Sequence, residues 1–394
     1  MKVAIVHEWL TTYAGSEKVM EAMLQEYPDA DIFCLIDDLP KEHRAWLADR
    51  HVRTSFLQRV PRVKAIYRYL LPLMPIAIEQ HDLSKYDVII SNSHAVAKGV
   101  ITGPDQLHIC YCYTPMRYAW DLQNQYLTEA KFDRGLRGGI ARFVLHQMRM
   151  WDVRTASNVD HFIACSHYIA RRIQKAYRRA STVIYPNVAV DDFVPGQAPR
   201  EDFYFTSSRM VPYKKIQLIV EAFSKMPDRR LIVIGAGPQF AQIKALAGSN
   251  VTLLGYQPNS VLLDHLQRAK AFIFAAEEDF GIAPLEAQAC GTPVLAFGKG
   301  GASETVIDGI TGLHFWEQSV PAICDVVRRF EIEGIQFDPV RMRAHVERFS
   351  TQRFRSEFRE FVEARWAEHQ SKIRSSANRT PDGSQCHLAR VVSA

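Results

Sequence analysis

Short apolar runs, each followed by a helix-like stretch, recur from end to end of this chain, and that rhythm restricts its fold more than any other feature. KVAIV (2–6) leads through a glycine turn into SEKVMEAMLQEY, and YDVIISNS, HICYCYTP and DHFIACS repeat the pattern. After Asp202 it restarts with FYFTSSR, then RLIVIGAG, NVTLLG, AFIFAA and PVLAF. Strands that are apolar throughout, and not on alternate residues, are buried on both faces; strands alternating with helices lie parallel. The expected fold is therefore α/β, with doubly wound, Rossmann-like parallel sheets. The 394 residues suffice for two such domains, separated by the proline-bearing polar stretch 186–200. We expect an N-terminal domain over residues 1–190 and a C-terminal one over 201–350. A helix over 351–370 follows, with Phe354, Phe358 and Phe361 on one face, crossing back to the first domain. Residues 371–394 read as a disordered tail. Ligands of such sheets bind beyond the carboxyl ends of the strands, so two facing sheets place the site in a central cleft.

Composition narrows the function. Lys+Arg 48 against Asp+Glu 43 gives a formal charge of +5, spread along the chain, which argues against nucleic acid as a partner. The seven cysteines form no CxxC pair and no metal-ligand spacing, and most sit in apolar runs such as FIACS and QACGTPV. They read as small buried hydrophobes in a reducing compartment. The apolar start of MKVAIVHEWL is too short for a signal peptide, and the run over 69–78 is too short to span a bilayer and holds two prolines. The expected location is cytoplasmic.

Three segments carry candidate chemistry. The most informative is EEDFGIAPLEAQACG (277–291), which follows the buried run AFIFAA. Pro284 suits a first helical turn, leaving the amides of Gly281, Ile282 and Ala283 free at a helix start where the macrodipole favours an anion. Gly281 lets a phosphate approach the backbone closely. Glu278 and Glu286 flank this nest; carboxylates do not bind phosphate, but they accept hydrogen bonds from vicinal sugar hydroxyls. A glutamate pair alone more often complements a helix dipole or sits in solvent, and it is the strand, glycine and proline around this pair that favour a site. In SSRMVPYKK, Arg209 stands at a strand end with a fork matching two phosphate oxygens, and Lys214 adds a point charge. In HEWLTTYAGSEKV, Gly15 precedes a helix whose start offers a place for phosphate or an incoming acceptor. GAGP (235–238) imitates a dinucleotide fingerprint, but Phe240 stands where the third glycine belongs and no acidic residue closes NVTLLG. NAD binding is rejected, and Gly235 is read as shaping a nucleotide pocket.

With seven residues between Glu278 and Glu286, followed by ACGTPVLA and GGASETVIDGITG, the chain resembles glycosyltransferase family 4 from residue 1 to about residue 370. SSRMVPYKK is similar to that family's phosphate-binding Arg/Lys pair, and YCYTPMRYAWD and FIACSHYIARRI to its bacterial mannosyltransferases of O-antigen and capsule synthesis. The resemblance implies a GT-B fold and transfer with retention, with neither an obligatory metal nor a resident cofactor. The substrate would be a nucleotide sugar, GDP-mannose above all, and the acceptor a polyprenyl-diphosphate-linked saccharide. It implies that Glu278 meets the sugar hydroxyls and Glu286 the ribose, while Arg209 and Lys214 hold the diphosphate with the amides near Phe280, Gly281 and Ile282. Tyr113, where many relatives carry His, together with His94 and Arg117, would face the sugar and acceptor. Ala14-Gly15 replaces the usual glycine pair.

Arg53, Arg59, Arg62, Lys64 and Arg68 interleave with Phe56, Leu57, Val60, Val63, Tyr67 and Leu70 across 53–71, and arginines alternate with Phe143, Leu145, Met148, Met150 and Trp151 across 142–154. Such mixtures suit docking on an anionic leaflet, the cytoplasmic face of the inner membrane, as well as they suit core helices with basic outer faces. The competing functions are a nucleotide-sugar epimerase and a non-catalytic nucleotide-sugar-binding protein on the same fold.

Overall fold

The computed structural model describes residues 1–48, 50–332 and 337–377. Seven strands form a first sheet: Val3–His7 (β1), Asp31–Cys34 (β2), Val52–Thr54 (β3), Val88–Ser93 (β4), Leu107–Cys112 (β5), His161–Ala164 (β6) and Ser181–Val183 (β7). Their order is β3-β2-β1-β4-β5-β6-β7, with every pairing parallel. Six strands form a second: Tyr204–Ser207 (β8), Leu231–Ile234 (β9), Val251–Gly255 (β10), Ala271–Phe274 (β11), Val294–Phe297 (β12) and Gly312–Phe315 (β13). Their order, β10-β9-β8-β11-β12-β13, repeats the first, again all parallel. Each sheet reverses its order beside its first strand, the switch point near which ligands of such folds bind.

β1, β4, β5, β11 and β12 are buried along their whole length, as unbroken apolar runs require. The first sheet carries a separate hydrophobic core on each face, and so does the second. The sequence reading missed β2, β3, β7 and β13, runs of three or four residues. β3 and β7 are partly exposed edge strands without a continuous apolar signal.

The helices that bear on the site are Gly15–Glu26 (α1), Gly135–Ala156 (α2), His167–Tyr177 (α3), Ile282–Ala289 (α4), Ala302–Thr305 (α5) and Thr351–Ala377 (α6). α6 packs on α1 and β5, burying Phe354, Phe358 and Val362 in the first domain's core. Arg355 and Arg359 reach Glu26 at 2.5 and 3.1 Å. It runs seven residues past its expected end: 371–377, assigned to the tail, are helical, continued by pairs such as Lys372 with Glu368 at 2.7 Å. The rest of the expected tail lies outside the described residues.

The chain passes between the domains near Val188 and Ser350, which pair in a parallel bridge. The stretch after Pro186 is docked: Val188, Val190 and Phe193 are buried in the second domain's core, and Arg343 donates to the carbonyls of Val190 and Phe193 at 2.6 and 2.8 Å.

Candidate active site

A cavity of about 500 Å³ opens between the two sheets. Its lining comes from segments that each follow the carboxyl end of a strand: Gly15 after β1, His94 after β4, Tyr113 after β5, Cys165 after β6, Lys214 after β8 and Glu278 to Ile282 after β11.

On the C-terminal side, Gly281 has φ +91° and sits immediately before α4, a conformation glycine adopts without strain. The amides of Gly281, Ile282 and Ala283 donate to no acceptor among the described residues. The loop ahead of them is fixed from behind: Gly301 N donates to Glu278 O at 2.7 Å. A Cβ on Gly301 would lie 2.2 Å from Phe280 Cα, so only glycine permits this approach. Lys214 Nζ donates to Glu278 Oε1. The Phe280 ring packs against Tyr185 and Phe349, with centroids at 5.7 and 5.6 Å, and those two rings lie 5.2 Å apart. Glu286, inside α4, is not among the lining residues, and its carboxylate accepts no hydrogen bond among the described ones. Burial lifts its carboxyl above the usual range, with Lys18 pulling the other way.

On the N-terminal side, Glu8 is fully buried just beyond β1. Its Oε1 accepts from Ser93 Oγ at 3.0 Å and from the amides of His94, Ala95 and Ala97 at 2.9, 2.8 and 3.2 Å. Its Oε2 lies 2.9 Å from His94 Nδ1. Burial alone would raise the Glu8 pKa; the His94 charge and hydrogen bond, with His7 and the amide of Ala95, hold it far below the ordinary range. Burial would likewise depress His94, but Glu8 and then Glu17 outweigh both burial and the opposing charge of Arg117, and its pKa is raised. His94 thus faces the cleft as a hydrogen-bond donor biased toward the imidazolium.

Several expected roles change. Gly15 lines the cleft, a Cβ there falling 3.1 Å from Ile282 Cδ1, but the start of α1 is not open to an anion. Glu17 folds back to accept from Ala14 N and Ser16 Oγ, both at 3.0 Å, and its Oε1 lies 3.2 Å from His7 Nε2. A carboxylate in that first turn repels phosphate. Tyr113 lines the cleft, yet its hydroxyl already donates to Ser16 O at 3.2 Å, and burial pushes its phenol well above the ordinary range. Arg117 lines the cleft and is paired with Asp279 across it, its guanidinium 5.9 Å from the Tyr213 ring. Arg209 is exposed and absent from the lining, in a turn after β8 where Val211 N donates to Arg209 O at 2.9 Å and Met210 is buried in the core. Gly235 is also absent from the lining and serves packing, since a Cβ there would lie 1.9 Å from Ser208 O.

Reading the sequence overlooked Glu8, Asp279, Arg172 and Glu304. Glu8 stands in HEWLTTYAGSEKV, Asp279 in EEDFGIAPLEAQACG, Arg172 in FIACSHYIARRI and Glu304 in GGASETVIDGITG, but nothing local shows which partner each one meets.

The interleaved basic segments are divided. In 53–71, Leu57 and Val63 are buried and Val60, Tyr67 and Leu70 half-buried, so most of that apolar content serves the core. α2 instead exposes Leu136, Ile140, Phe143 and Met150 at helical spacing along one face, beside exposed Arg137, Arg142 and Arg154. Tyr69, Leu73 and Ile76 are exposed as well. Among the described residues, no helix is long and apolar enough to cross a membrane.

Residues 189–345 match the family model described as "Glycosyl transferases group 1". Over 153 residues the chain is 34% identical to the D-inositol 3-phosphate glycosyltransferase of Mycobacterium sp. (strain KMS), covering 33% of this chain and 34% of that protein. Over 231 residues it is 30% identical to a GDP-mannose-dependent monoacylated alpha-(1-6)-phosphatidylinositol monomannoside mannosyltransferase of Corynebacterium glutamicum, covering 49% and 59%. The chain thus matches about a third of the first of these relatives and less than two thirds of the second. Among solved structures, Anabaena HepE in complex with UDP-glucose aligns with a TM-score of 0.66 at 16% identity, over 92% of this chain and 100% of that one. Sucrose-phosphate synthase from Thermosynechococcus elongatus aligns with a TM-score of 0.67 at 17% identity, over 93% and 100%. The likeness establishes the fold as GT-B.

Proposed function

We propose, from the premise that the chain belongs through residues 189–345 to the glycosyl transferases group 1, that it moves a hexose from a nucleotide sugar to a saccharide acceptor with retention of configuration. GDP-mannose is the donor this reading favours, by analogy with the GDP-mannose-dependent relatives. One observation carries the proposal: three amides at the start of α4 have no acceptor among the described residues, and two of them belong to Gly281 and Ile282, which line the cleft with Lys214 and Glu278.

In this reading the diphosphate rests on the amides of Gly281 to Ala283, where the helix dipole and Lys214 stabilise the charge that builds as it leaves. Lys214 turns from Glu278 to the phosphate, freeing Glu278 to accept from sugar hydroxyls. Glu286, half-buried and with no hydrogen bond to its carboxylate among the described residues, accepts from the ribose. The anomeric carbon–diphosphate bond breaks, and the acceptor oxygen bonds to the same carbon on the same face. The acceptor's proton passes to the leaving phosphate, so no enzymic nucleophile is needed. His94 donates a hydrogen bond to the sugar or acceptor from the opposite wall. These charges serve without an obligatory divalent metal. The acceptor is a polyprenyl-diphosphate-linked saccharide, approached from the cytoplasmic face of the inner membrane by way of the exposed apolar and basic face of α2.

Incubation with a panel of GDP- and UDP-sugars in EDTA, following nucleotide release, tests this. Release from GDP-mannose is expected. Turnover abolished by EDTA would overturn the metal-free mechanism, and conversion of the donor with no nucleotide released would point to an epimerase.

A further inference from the structure

Asp279 lies between two cleft residues, yet its own partners belong to the other domain. Its carboxylate receives Arg117, and Arg172 Nη1 at 3.3 Å, while its carbonyl accepts from Ser166 Oγ at 2.6 Å. Arg172 is almost buried and also donates to Thr114 Oγ1 at 2.8 Å and to Asp121. A second bond set runs alongside. Glu304 of α5 places its carboxylate on the amides of His167 and Tyr168, at 2.8 and 2.7 Å, at the start of α3, and accepts from Tyr185 OH at 3.1 Å. Charge-assisted, part-buried bonds of this kind hold two surfaces in one register more firmly than exposed pairs do.

The cluster also stands on a boundary. The 500 Å³ cleft and a smaller cavity of about 30 Å³ are both lined by Arg117, Tyr213 and Asp279. The side chains that tie the domains together are therefore the partition between the two spaces.

We infer that Asp279 is a positioning residue and a seal: pulled across the cleft by Arg117 and Arg172, it sets the 277–281 loop for transfer and shuts water out of the reaction space. This rests on the reading of the cleft as a nucleotide-sugar site. When the seal fails, water takes the acceptor's place. Its oxygen bonds to the anomeric carbon as the carbon–diphosphate bond breaks, yielding free hexose, nucleoside diphosphate and one proton.

The test uses the full chain and its Asp279→Asn and Arg172→Gln variants, with GDP-mannose as donor and octyl α-mannoside as acceptor. Free and transferred mannose are counted separately. Asp279→Asn should raise the ratio of free to transferred sugar on the order of tenfold, with the donor KM nearly unchanged and Asp279→Glu restoring much of the wild-type ratio. Arg172→Gln should shift the ratio the same way. Folded variants whose ratio stays at the wild-type value would overturn the inference. Hydrogen exchange gives a readout independent of turnover: the amides of 167–169, held by Glu304 and Ser166, and that of Gly301, held by Glu278 O, should exchange faster together in Asp279→Asn. Unchanged exchange at both places would dismiss the seal even if transfer is observed. A wild type inert toward every nucleotide sugar would remove the functional reading, and the exchange result would still decide whether Asp279 ties the domains.

Discussion

The two domains offer the cleft the same element in opposite states. In each, a strand ends, a loop turns and a helix begins: β1 into α1, and β11 into α4. The helix dipole is the same at both, so the first turn alone decides what each can hold. At the third helical position α1 has Glu17, which curls back onto Ala14 N and supplies the negative charge from within. α4 has Pro284 there, with no side chain to return and three amides left over. A helix start is a phosphate site when its own third residue leaves it vacant, and the asymmetry between the domains comes down to that position.

The largest effect should come from making the second loop like the first. Pro284→Glu would set a carboxylate over the amides of 281–283, and nucleotide release from the donor should fall about a hundredfold in kcat/KM, with the fold intact by circular dichroism. Undiminished turnover would break the comparison. The reverse change, Glu17→Ala, strips partners from Ala14 N and His7; thermal or urea unfolding should show a loss of about 1–3 kcal/mol. Turnover at saturating donor should fall far less than in Pro284→Glu, because the proposed diphosphate site is the start of the other helix.

A smaller effect concerns the Glu8–His94 pair, for which the C-terminal wall has no counterpart. His94 is raised above its ordinary 6.5, so the stability it contributes is complete below that value and fades as pH rises through the raised one. Glu8 is lowered from 4.5, so its contribution is present above that value and is lost only in strong acid. Melting temperature followed on the alkaline side of 6.5 should decline more steeply for the wild type than for His94→Gln; parallel curves would show that the pair is not coupled to folding. Smallest of all, Gly281→Ala meets only ordinary van der Waals contacts, its nearest neighbour 3.6 Å from the new Cβ, so its cost of about 1 kcal/mol by thermal unfolding should reflect the φ of +91° alone.

The sequence disclosed those parts of the fold whose signal is local. VAIVH, VIISNS and LHICYC are apolar throughout because helices cover them on both sides, and the glycine and proline around Glu278 betray a helix start. Edge strands such as STV, half in solvent, carry no such mark. Direction escaped as well: a strand end places Arg209 along the chain, but the turn that follows buries Met210 and leaves Arg209 exposed and outside the cavity lining. Gly15 looked like an open helix start because the fold-back of Glu17 is a three-dimensional event. Asp279 could not be told from its acidic neighbours until Arg117 and Arg172, 162 and 107 residues away by number, were brought against it.

The three-ring stack of Tyr185, Phe280 and Phe349 has a mechanical meaning. Tyr185 and Phe349 stand next to Pro186 and Ser350, where the chain changes sheets, and both bear on the ring that precedes Gly281. The ring that props the loop ahead of Gly281 is therefore seated on the crossing between the two sheets. A change in the angle between those sheets would reach that loop through a single phenyl group.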